Sequence, residues 1–77
     1  MADNLLQVRL AVTRTKQGVS LWCSELWRNG ELYDASEWTT SVVDAIRDGR
    51  DLEGHARSDI AFREARAEAA QLFQRAS

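Results

Sequence analysis

The sequence predicts an α+β domain: a three-stranded antiparallel β-meander followed by two α-helices packed on one sheet face. Three observations carry this. Apolar and polar residues alternate with a period of two from Leu6 to Thr13. Asn29-Gly30 interrupts a β-branched and aromatic stretch, and this dipeptide suits a type I′ hairpin turn, which needs positive φ at both positions. After Trp38 the apolar period lengthens to three and four.

Each element follows in order. Leu6, Val8, Leu10 and Val12 alternate with Gln7, Arg9, Ala11 and Thr13, so residues 5–14 read as a strand. Thr15-Lys16-Gln17-Gly18 is a turn, with Gly18 free to take positive φ. Residues 19–28 and 31–37 are the second and third strands. A two-residue loop sets Arg28 against Glu31, Trp27 against Leu32, Leu26 against Tyr33 and Trp22 against Glu37. It also sets Glu25 against Asp34, a like-charge pair that is either solvated at the sheet edge or relieved by a bulge. Val19, Leu21, Cys23, Trp27 and Leu32 share one face; Trp22, Leu26 and Tyr33 share the other.

Thr39, Thr40 and Ser41 offer three N-caps for a helix over about 40–48. With Thr39 as cap, Trp38 and Val43 form a hydrophobic staple. Gly49 closes that helix, and residues 50–54 form a charged connection. Ser58 is a candidate cap for residues 59–76, in a second helix over about 55–76. There Phe62, Ala65, Ala69, Leu72 and Ala76 form one stripe, and Asp59 and Arg63 form an i,i+4 pair.

Seventy-seven residues make a single domain over 1–77. A chain of this length buries only ~60–65% of its unfolded surface, so its stability is marginal or supplemented by association. Cys23 is the only cysteine and His55 the only histidine, which excludes a disulfide and a closed zinc site. A lone thiol, no apolar run near the ~18 residues of a membrane span, and no basic flank at Met1–Asn4 point to the cytoplasm. No cofactor is expected.

Charge is sorted along the chain. Residues 31–53 carry seven acids against two bases; the segments on either side each carry a small basic excess. Asp44, Asp48 and Asp51, at spacings of four and three, line one helix face if the helix persists that far. With Glu31, Asp34 and Glu37 they form an acidic surface suited to a basic partner. Its plainer reading is a set of solvated turns and a helix exterior. Trp22 and Tyr33 are candidate apolar anchors, because such residues dominate protein interfaces. Burial under a helix or in a self-association surface accounts for them slightly better.

Catalytic motifs are absent: no G-x-S-x-G, P-loop or HExxH occurs. Cys23 with His55 is the one nucleophile–base combination, and a small buried thiol beside a surface histidine explains both residues better. Counted from Asp48, the first, third and fifth positions of a calcium loop hold Asp48, Arg50 and Leu52, so the loop fails. The expectation is a non-enzymatic protein without a metal.

Small size, an α+β layout, an acidic face and aromatic anchors together resemble the phage-encoded anti-CRISPR inhibitors. The resemblance spans the chain and rests on no shared motif. It implies a phage protein in the host-cell cytoplasm that binds a CRISPR effector subunit or complex. There it would block target-DNA binding or nuclease recruitment, through Glu31, Asp34, Glu37, Asp44, Asp48 and Asp51 with Trp22 and Tyr33. Two other classes compete. One is a DNA-binding module in which a three-stranded sheet presents Arg9, Arg14, Lys16 and Arg28, against which the acidic pI of 5.3 argues. The other is a homodimeric structural or antitoxin-like protein, assembled through the helix of residues 59–76.

Overall fold

The computed structural model describes residues 5–76, with side chains to Gln74. Met1–Asn4, including Asp3, and the side chain of Ala76 in the helical stripe lie outside the described residues. Strand β1 (Leu6–Arg14), β2 (Ser20–Arg28) and β3 (Glu31–Ala35) form an open antiparallel sheet in the order β1-β2-β3. One helix, α1 (Val42–Ala76), follows. The α+β meander is as expected; the pair of helices is not.

The turns behave as their residues dictate. Gly18 sits at φ 83° and its N–H donates to the Thr15 carbonyl at 2.9 Å, closing the first hairpin. Asn29 and Gly30 sit at φ 53° and 82°, as a type I′ turn requires. β1 pairs with β2 without irregularity, from Leu6 against Arg28 to Arg14 against Ser20. Between β2 and β3 the turn-set register holds for Arg28–Glu31 and Trp27–Leu32, then breaks at a bulge. Leu26 therefore faces Asp34 instead of Tyr33, and Glu25 faces Ala35 instead of Asp34. The bulge removes the like-charge pair, and the Asp34 carboxylate instead accepts the Ala35 N–H at 2.8 Å. β3 ends at Ala35 instead of residue 37. Trp22 bridges Thr39 through two backbone hydrogen bonds, so it does not face Glu37.

Helix α1 starts at Ser41, not Thr39. The Ser41 Oγ accepts the Asp44 N–H and its carbonyl accepts the Ala45 N–H. Thr39 is held in the bridge to Trp22, so the Trp38–Val43 staple does not form, and both side chains stay exposed. Gly49 does not end the helix, and Ser58 caps nothing; both lie inside α1. Gly49 marks where the helix crosses the sheet. A Cβ there would meet Ser24 Oγ at 2.5 Å and Val8 Cγ1 at 2.9 Å.

That crossing defines the core. The Ser24 hydroxyl, itself buried, donates to the Ala45 carbonyl at 2.5 Å. Leu26, Ala45, Ala56 and Ile60 are buried alongside. Strand alternation puts Val8, Leu10, Val12, Trp22, Ser24 and Leu26 on this helix-covered face. Trp22 is thus half-buried on the covered side, and the face bearing Cys23, Glu25 and Trp27 is the open one. α1 lies chiefly over β2 and leaves part of β1 uncovered. Every described side chain from Ala61 to Gln74 is exposed; Ala61 and Glu64 still border a hollow beside Leu6, and beyond them the helix runs clear of the sheet.

Candidate functional site: an acidic groove between β3 and the helix

Asp48, Leu52, His55 and Asp59 recur at spacings of four, three and four, so they line one side of α1. The side they line faces β3. Asp48, Asp51, Leu52 and His55 form a shallow groove with Ser36 and Glu37. It continues past Leu52 and His55 into a hollow lined by Tyr33, Asp34, Ala56 and Asp59. The β-bulge matters here, because it sets Asp34 opposite Leu26, whose side chain is on the helix-covered face.

Four of the six predicted acids, Asp34, Glu37, Asp48 and Asp51, are therefore brought together. Asp59 joins them. His55 is the only basic type among the lining residues, and Arg63 holds the Asp59 carboxylate from one side at 3.3 Å. The other two acids stand apart. Asp44 lies in the first helical turn, where it complements the helix dipole and meets Arg47 at 3.8 Å. Glu31 lies beside the Asn29-Gly30 turn, in a separate hollow with Arg28 and Tyr33. Tyr33 links the two regions: Arg28 stacks over its ring at 5.7 Å, and the ring borders the groove. Trp22 is not among the groove residues.

Sequence reading missed Asp59 and His55. The signal for them was the Asp48–Leu52–His55–Asp59 stripe, which exists only if the helix continues through Gly49 and Gly54.

The open sheet face is built differently. Arg9 stacks over the Trp27 ring at 4.6 Å, and the Trp27 indole N–H donates to Glu25 at 3.2 Å. Arg9 is also the direct cross-strand neighbour of Glu25. Cys23 is buried on this face; burial, and then the Glu25 carboxylate, push its thiol above the ordinary value. His55 stands on the helix side, so the two residues form no nucleophile–base pair. Among the described residues, no group of three His, Cys, Asp or Glu side chains is placed to hold a metal ion, and no helix is long and apolar enough to cross a membrane.

No protein-family model, no curated protein and no solved structure matches this chain.

Proposed function

We propose that this protein is a small interaction module whose acidic groove docks a lysine- and arginine-lined surface of a nucleic-acid-handling complex. The observation that carries the proposal is the convergence of Asp34, Glu37, Asp48, Asp51 and Asp59 from β3 and α1 onto one groove. A basic channel that normally holds phosphates is complementary to such a row of carboxylates. Occupying it excludes nucleic acid by charge and by bulk. The CRISPR effector complexes are the specific partner class proposed, and inhibition in the anti-CRISPR manner is the specific outcome. The direct DNA-binding alternative has less behind it. Arg9 lies on the open sheet face, stacked on Trp27 beside Glu25, whereas strand alternation puts Arg14 and Arg28 on the other face, so the bases expected to contact DNA are split between faces.

The test is a competition assay with a panel of purified CRISPR effector complexes and labelled target DNA. The wild type should displace DNA from at least one complex, and more weakly as salt rises. A charge-reversed Asp48→Lys/Asp51→Lys variant should inhibit about tenfold less well, equivalent to ~1.4 kcal/mol. Unchanged DNA binding across the panel, or equal inhibition by the variant, overturns the proposal.

A further inference from the structure

We propose that the outer edge of β1 is a self-association surface, on which the β1 strand of a second copy pairs antiparallel to join the two sheets into one.

The direction of the backbone groups comes first. Asn29 N–H donates to the Leu5 carbonyl at one end of β1, and Thr15 N–H donates to the Val19 carbonyl at the other. Residues 5 and 15 therefore point their backbone groups inward, and so do the odd-numbered residues between them. Leu6, Val8, Leu10, Val12 and Arg14 point theirs outward, where β1 has no neighbouring strand among the described residues. The edge is long and regular: nine residues, no proline, no bulge, with its charges confined to Arg9, which is stacked on Trp27, and the terminal Arg14. β3, at the other edge, has five residues, a bulge and the carboxylates Glu31 and Asp34.

The side chains make the same case. The residues with outward backbone groups are also those whose side chains share the helix-covered face, and the helix, which meets Leu6 and Val8, covers them only in part. Val8, Leu10 and Val12 stay 38%, 46% and 56% exposed. Exposed aliphatic groups beside an open strand edge are an interaction surface by composition and by hydrogen-bonding capacity.

The occupant is a second copy because the strand matches itself. A two-fold axis at Leu10 sets Leu10 against Leu10 of the second copy, Val8 against its Val12, and Leu6 against its Arg14. All of these are outward-pointing residues, so each pairing exchanges backbone hydrogen bonds. On the open face Arg9 meets Ala11 of the second copy and Gln7 meets its Thr13, so no like charges stand directly opposite; Arg9 is diagonal to Arg9 of the second copy, and each is held over its own Trp27 ring. The exposed stripe of the distal helix is a poorer self-match. An antiparallel alignment that stacks Phe62 on Leu72 of the second copy centres on Ala67, and brings Arg66 beside Arg66 and Glu68 beside Glu68.

Sedimentation equilibrium of the full chain should show a concentration-dependent species of twice the 8.7 kDa monomer mass. Leu10→Lys opposes two ammonium groups at the axis and should raise the dimer dissociation constant at least about tenfold, with an unchanged circular dichroism spectrum. Leu72→Asp should leave it unchanged. In a Cys23→Ser background, Leu10→Cys should form an intermolecular disulfide on mild oxidation, since hydrogen-bonded strand neighbours have Cα atoms about 5.5 Å apart. A monomer at all concentrations overturns the proposal. So does a dimer that survives Leu10→Lys and is lost in Leu72→Asp. The β1 edge shares no residue with the acidic groove, so this result and the competition assay fail or succeed separately.

Discussion

At the residue scale, the contact between Ser24 and Gly49 joins the sheet to the helix. Ser24 binds two other segments at once: its N–H donates to Ser36 Oγ at 2.8 Å, and its hydroxyl donates to the Ala45 carbonyl. This is why a small polar residue occupies the centre of the core. A larger side chain would lift the helix, and an alanine would leave the sheet and helix without their shared hydrogen bond. The two helix-interior glycines differ in the same terms. A Cβ at Gly49 collides with Ser24 and Val8, whereas a Cβ at Gly54 meets nothing within 4 Å. Gly49→Ala should therefore destabilise the fold by ~1–3 kcal/mol through overpacking. Gly54→Ala should stabilise it by ~0.5–1 kcal/mol, because alanine costs less backbone entropy in a helix. Urea denaturation of the two variants checks this. Equal effects of one sign would show that α1 does not cross β2 at Gly49.

At the element scale, the sheet was legible and the helix was not. Period two and Asn29-Gly30 define strands and turns through neighbours in sequence, so the meander follows from local rules. The bulge was legible only as a choice, since the Glu25–Asp34 conflict signals a break in register without placing it. The helix misled because its apolar stripe changes sides. Ala45, Gly49, Ala56 and Ile60 face the sheet, but Phe62, Ala65, Ala69 and Leu72 lie roughly 180° round the helix at 100° per residue. The stripe changes sides between Ile60 and Phe62, while Gly49 and Gly54 interrupt its first half, and together these features read as two helices. The backbone continues because alanine, glutamate and arginine propagate a helix that tertiary contact has already nucleated. Its two parts should then differ in stability. Amides from Ala45 to Ile60 should exchange with solvent only on global unfolding, while those from Ala65 to Gln74 should exchange orders of magnitude faster by fraying. Uniform protection along α1 in native-state hydrogen exchange would mean that something covers the distal stripe.

At the scale of the whole molecule, the two readings of the helix predict different shapes. Two helices folded back on one sheet would make a compact domain, for which 77 residues give a radius of gyration of about 11–12 Å. A single helix does not allow this. The molecule measures 64 × 19 × 16 Å with a radius of gyration of 17.3 Å. The extension has a functional side. The acidic groove depends on continuity through Gly54, because Asp48 and Asp59 reach the same side of β3 only on one unbroken helix. A break there would scatter the carboxylates. Shape and site therefore stand or fall together, and small-angle X-ray scattering tests both. The Leu10→Lys variant at low concentration keeps the measurement free of edge pairing. Its radius of gyration should stay close to 17.3 Å, with the long tail in the pair-distance distribution that a projecting helix produces. A value near 12 Å would mean that the chain bends at the glycines, and that Asp59 does not share a groove with Asp48.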